Sequence, residues 1–286
     1  MFLHILRAAT RVAAAALFAL IALLATGCDS TDPLREITQP AYVLDESQTL
    51  FVFDLANPEV TRRIGPVTGL AAGEQIVGMD FRPARGTLYL LGQTARLYTV
   101  NLTTGAAMQA AMLTRGGSPL ALSGSHFGVD FNPVPDRLRV ISNTGQNLRI
   151  NVDTGETILD GALAYASGDP GSGTAPQAVA AGYTNSRSGT VSETRLLVLD
   201  AGRNTLVLQN PPNDGVLNTL GSLGLDLPAT AAFDIRTSGS TNEGFVVAPG
   251  ASGSELYTIN LTTGATSRVG RIGVRGMLRG LAVPTS

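Results

Sequence analysis

Three aspartates occupy matching places in this 286-residue chain: Asp80 in GMDFRP, Asp130 in GVDFNP and Asp234 in AFDIRT. Carboxylates repeated in this way could do two kinds of chemistry. Converging hard oxygens would take Ca²⁺ or Mg²⁺ in preference to a softer metal. No cofactor is expected, and Ca²⁺ is the one alternative these residues offer. Alternatively, two carboxylates could share acid and nucleophile roles across a glycosidic bond. A plainer use also fits, because an Asp repeated near a Gly commonly satisfies backbone donors and fixes local geometry. Without a cation, raised pKa values or hydrogen bonds, the three charges would repel one another.

The rest of the composition weighs against catalysis. Glycoside clefts use aromatic platforms, and this chain has no Trp and six Tyr. The three Asp are also equivalent by position, whereas acid and base need unequal environments. His126 is the one His beyond the leader, so a His₂ or His₃ metal set is excluded. It is expected as a loop residue ahead of GVDFNP. Gly-rich GDPGSGTAP, from Gly168, lacks the Lys of a phosphate loop and reads as a flexible connection. GQNLR, ending in Arg149, and NPPNDG, from Asn210, read as surface features able to serve binding, as does the long 160–194 segment. No basic cluster stands out, which excludes a nucleic-acid surface.

These residues must be positioned by a repeat. LYTVNLTTGA at Leu97 returns as LYTINLTTGA at Leu256, 159 residues later, or three steps of 53. Weaker copies start at Leu50, Leu148 and Leu206, and the Asp-bearing strands form a second series with members at Ala181 and Arg279. Each period holds about four short alternating runs separated by turn residues, which is the signature of a β-propeller blade. The fold class expected is all-β: a propeller of five blades, each of four antiparallel strands, closed by pairing N- and C-terminal strands. A sixth blade hidden in 158–194 is the alternative. Inner strands line a propeller's channel, so Asp80, Asp130 and Asp234 are expected to converge near its mouth. Gly182 or a neighbour and Ala282 take the equivalent places in the other two blades.

The N-terminus carries a different message. Arg7 and Arg11 precede an apolar run, Val12 to Leu24, too short to span a bilayer comfortably. It leads to LLATGCDS, which resembles the bacterial lipobox, and Cys28 is the only Cys in the chain. The expected organisation is therefore a lipoprotein signal peptide with its lipobox cysteine over 1–28, a tether over 29–40 and the propeller over 41–286. Lipidation at Cys28 would anchor the protein to a membrane of the cell envelope, on the periplasmic or outer surface.

The G-x-D-F-x-P strands, the L-Y-x-h-N-x-x-T-G hairpins (h, apolar), GQNLR and NPPNDG together resemble domain of unknown function 4394, over Ala41 to Val283. That resemblance implies a bacterial exported protein with a propeller-like fold and implies no activity. The functional expectation is a membrane-tethered, noncatalytic binding or scaffolding module whose partner is an envelope protein or glycan. The alternative is a glycoside hydrolase-like enzyme or lectin using the channel carboxylates.

Overall fold

The computed structural model describes residues 36–285, and all regular structure among them is β-strand. The lipobox Cys28 and most of the tether lie outside the described residues. Five antiparallel sheets carry the period. From the axis outward, the first blade runs Leu278–Ala282, Pro40–Asp45, Thr49–Asp54, Thr61–Pro66. The second runs Ile76–Arg82, Thr87–Gly92, Arg96–Val100, Ala107–Met112. The third runs Phe127–Asn132, Arg137–Ser142, Asn147–Ile150, Thr157–Leu159. The fourth runs Ala178–Tyr183, Leu196–Asp200, Thr205–Gln209, Val216–Ser222. The fifth runs Ala232–Ser238, Thr241–Gly250, Gly253–Ile259, Thr266–Arg271.

The propeller thus has five blades and not six. The first blade closes the ring, with Tyr42 opposite Ala282 and Val43 opposite Leu281 in antiparallel register. Closure removes two sheet edges that would otherwise stay open. In the 160–194 segment, the structure places a short strand and an inner strand. Ala164–Tyr165 pairs in parallel with Val216–Leu217 and covers the outer edge of the fourth blade. The GDPGSGTAP stretch, expected to be a flexible connection, is tied down. Asp169 accepts hydrogen bonds from the Gly171 amide (2.7 Å), the Thr219 amide (2.6 Å) and the Thr219 hydroxyl (2.8 Å).

No single core exists. Five apolar layers lie between successive blades, one per seam. The second strand Leu196–Asp200 is therefore buried at every residue, since both its faces meet a neighbouring blade. Outer strands face solvent, and Met108 and Ile158 lie exposed there. The repeated Asn-Leu-Thr-Thr-Gly segments are turns. Asn101 Oδ1 accepts the amides of Thr103 and Thr104 at 2.8 and 3.1 Å, and Asn260 does the same for Thr262 and Thr263 at 2.9 and 3.0 Å. Gly105 closes its turn at φ 75°, a left-handed conformation that costs a glycine little.

The glycine of G-x-D-F has a different purpose. A Cβ on Gly128 would lie 2.7 Å from the Ala181 nitrogen and 2.8 Å from the Ala180 carbonyl carbon, both backbone atoms of the next inner strand. Gly128 therefore sets how closely two blades approach at the axis. Gly128→Ala is expected to destabilise the domain by about 1–3 kcal/mol, the usual cost of overpacking. Denaturant unfolding checks this, and a loss below a few tenths would show that the seam gives way easily.

Candidate functional site

The structure brings Asp80, Asp130 and Asp234 together, with carboxylate oxygens within 4.8 Å of one another. Each lies on an inner strand, in the second, third and fifth blades. They are 4%, 2% and 4% exposed, so they lie inside the protein and not at an open mouth. Their hydrogen bonds follow one rule. Asp80 accepts the amide of Phe131 (2.7 Å), Asp130 that of Tyr183 (3.0 Å) and Asp234 that of Val283 (2.6 Å). In each case, the carboxylate reaches forward to the next blade, to the residue just after the position equivalent to its own.

Two blades have Gly182 and Ala282 at that position, as the repeat implied, and cannot reach forward. The following blades compensate. Phe81 gives its amide to Asp80 (2.7 Å), and Ile235 gives its amide to Asp234 (2.5 Å). Three carboxyls thus collect five equivalent backbone amides, which occupy five of six oxygens. Remaining capacity on Asp130 is turned towards Asp234, and those two carboxyls share a hydrogen bond.

Electrostatics follow from this crowding. Burial, then the charge of Asp234, push the Asp80 carboxyl well above the usual range. Burial, then Asp80 and Asp234, do the same to Asp130. Asp234 is raised by burial to about 6, restrained by the Val283 and Ile235 amides. A bound proton shared by Asp130 and Asp234 meets the same electrostatic need as a hard cation would. Five amides point into the cluster, so five of its six oxygens already hold a donor.

A separate feature opens on the axis. A cavity of about 140 Å³ is lined by residues from all five inner strands, among them Met79, Val129, Ala181, Phe233 and Leu281. These residues immediately precede the Asp positions, so the carboxyl cluster lies one residue beyond the cavity wall. Its rim includes His126 and Arg279. His126 falls where expected, in the loop ahead of its inner strand, with Nδ1 2.9 Å from the Ser125 hydroxyl. Burial and then the charge of Arg279 lower its pKa, which favours the neutral ring. Sequence reasoning passed over Arg279. Its signal was visible in RGLAVPT, where an Arg stands in an otherwise apolar inner strand.

Of the two features expected at the surface, GQNLR is largely buried and NPPNDG largely exposed, and the structure brings them together. GQNLR and NPPNDG meet around Arg139, which is 1% exposed. Arg139 donates to Asn147 Oδ1 (2.7 Å), Asp160 (2.7 Å), Asn213 Oδ1 (2.8 Å) and the Tyr183 hydroxyl (3.2 Å). Asn147 in turn donates to the carbonyls of Gly161 and Pro212, both at 3.0 Å. Arg149 completes the set through two bonds to Asp160, at 3.0 and 2.9 Å. Burial would raise the Asp160 carboxyl, but Arg149 and Arg139 hold it below its ordinary value. The two motifs are therefore halves of one polar latch between the third and fourth blades. Arg82 forms a comparable one, pairing with Asp136 and Asp153 of the third blade, each at 2.6 Å.

No curated protein is similar to this chain at a significant level. Among solved structures, it is similar to a Bacteroides thetaiotaomicron protein of unknown function, at 17% identity and a TM-score of 0.49. That likeness covers 82% of this chain and 60% of the other. It is also similar to a chain of a nidogen/laminin complex, at 10% identity and TM-score 0.45, covering 86% and 98%. The Malassezia sympodialis allergen Mala s 1 follows at 15% and 0.41, covering 71% and 62%. The model of one family, the domain of unknown function DUF4394, matches residues 49–282, which include four blades whole, three of the four strands of the first blade, the axial carboxyls and the polar latch, and the chain belongs to that family.

Proposed function

We propose that this protein is an exported, lipid-anchored propeller that acts as a noncatalytic binding or scaffolding module in the cell envelope. The observation that carries the reading is the division of labour on the axis. Five of six carboxylate oxygens are committed to backbone amides, while a cavity with a charged rim stands beside them. Carboxyls so engaged suit holding blades together better than dividing acid and nucleophile roles, which require a free pair flanking a substrate. The lipobox-like sequence ending at Cys28 supports attachment to a membrane. The partner is then a component of the same compartment, protein or glycan.

Two measurements test the reading. The wild-type protein is expected in the membrane fraction and Cys28→Ser in the soluble fraction; equal partitioning of the two would remove the anchor. Immobilised protein is expected to retain a cell-envelope component without converting it. Release of product, lost on Asp80→Asn, would replace the binding role with hydrolysis, and failure to retain anything would leave scaffolding without a ligand.

A further inference from the structure

The axial cavity has more specific chemistry than a gap between blades requires. At about 140 Å³, it is close to the roughly 150 Å³ cavity that accepts benzene in an apolar protein interior. Met79, Val129, Ala181, Phe233 and Leu281 contribute one apolar residue from each blade to its lining. Backbone edges contribute too. The Phe131 and Tyr183 amides point to the axis, so Val129 and Ala181, two residues earlier on uninterrupted strands, turn their N–H and C=O the same way. A compact ring bearing a hydroxyl suits such a wall better than a bare alkyl chain.

Charge then orients the occupant. Among the described residues no acidic side chain lines the cavity, and Arg279 stands at its rim beside His126. The Arg279 side chain is 53% exposed, and its ion pair with Glu46 is long, at 3.7 Å, between two half-exposed groups. Such a pair holds its partners weakly, leaving the guanidinium fork able to engage a carboxylate in two parallel hydrogen bonds. The Asp80, Asp130 and Asp234 cluster lies just past the opposite end and repels a negative group. An anionic head is thereby drawn to the rim and kept from the floor.

We propose that this cavity binds a small organic carboxylate, with a ring-sized body on the axis and its carboxylate on Arg279 beside His126. This rests on the binding-module reading above and names a ligand class for it. The test uses the full-length protein in detergent, titrated calorimetrically with 4-hydroxybenzoate and, as neutral counterpart, 4-hydroxybenzyl alcohol. Saturable one-to-one binding of the acid is expected, at least about tenfold tighter than the alcohol, as loss of a charge-assisted hydrogen bond implies. Arg279→Gln should weaken the acid by a similar factor while leaving the melting temperature unchanged, since the side chain is exposed. No saturable binding, equal affinity for acid and alcohol, or an unaltered affinity in Arg279→Gln would each overturn the proposal. If envelope components are still retained when the acid does not bind, this inference fails alone. If neither binds, the binding-module reading fails with it.

Discussion

Replacing Arg139 with methionine is expected to destabilise the domain by about 3–5 kcal/mol, the usual consequence of removing one partner from a buried charged network. Methionine fills much of the same volume, so the loss isolates the polar contacts from packing. Without the guanidinium, the acceptor oxygens of Asn147 and Asn213 lose a buried donor, and Asp160 keeps only Arg149. Those groups belong to the third and fourth blades, so the damage falls on one seam. Urea unfolding of the wild type and variant at pH 7 measures the difference. A loss below about 1 kcal/mol would mean that water substitutes for the guanidinium. Arg149→Met is the internal control: its side chain is 27% exposed and it touches the network only through Asp160, so its loss should be clearly smaller.

The axial carboxyls should respond to substitution in opposite ways. Asp80→Ala strands two buried amides, those of Phe81 and Phe131, at about 1–3 kcal/mol each. Asp130→Asn preserves every contact: its carbonyl oxygen can accept the Tyr183 amide, and its NH₂ can donate to Asp234 as a protonated carboxyl would. It also removes one charge from a crowded cluster. The pH dependence follows from the direction of the shifts. Carboxyls raised above their unfolded value bind protons more tightly in the folded protein. Their contribution is therefore fully present below the ordinary Asp range and declines as pH rises through the folded values, about 6 for Asp234. Wild-type stability should thus carry a downward contribution between pH 5 and 8, which Asp130→Asn flattens. At pH 8, that variant should exceed the wild type in stability, because it removes one of three carboxyls that burial and mutual repulsion hold above their ordinary range. Asp80→Ala should be less stable than the wild type at pH 5, where relief of repulsion is smallest. Melting curves across this pH range decide the matter. The same curves with Ca²⁺ or a chelator should coincide; a rise of several degrees with Ca²⁺ would assign the cluster to a cation.

Much of this architecture is legible in the chain because a propeller repeats locally. Each blade is built from neighbours in sequence, so hairpins such as Asn101 to Gly105 and Asn260 to Gly264 announce themselves through their own turn chemistry. The convergence of Asp80, Asp130 and Asp234 was readable for the same reason, since equal phase in a repeat means equal height on the axis. What those carboxyls bind was not readable. One partner of each lies in the next blade, 51 residues away for Phe131 and 53 for Tyr183, and no local pattern encodes inter-blade register. The Arg139 latch was hidden by the same distance: Asn213 is 74 residues along the chain. Read separately, GQNLR and NPPNDG are polar and turn-rich, which suggests surface. An Arg alternating with Leu138 and Val140 in a strand was the signal that something buried would have to receive it.

The forward reach of the carboxyls also divides the ring unevenly. Axial links join the second blade to the third, the third to the fourth, and the fifth to the first. At Gly182 and Ala282 there is none, so the fourth and fifth blades, and the first and second, meet at the axis without one. Counted by these axial amide links alone, the ring is two arcs: one of three blades, braced again by Arg82 and Arg139, and one of two blades, which contains the seal between the chain's terminal strands. The line between the arcs passes through the axis, where the cavity lies. No carboxyl holds a neighbour's amide along this line, but Asp130 faces Asp234 across it, and away from the axis Asn185 and Asn242 join the fourth blade to the fifth while Gln48 and Ile76 join the first to the second.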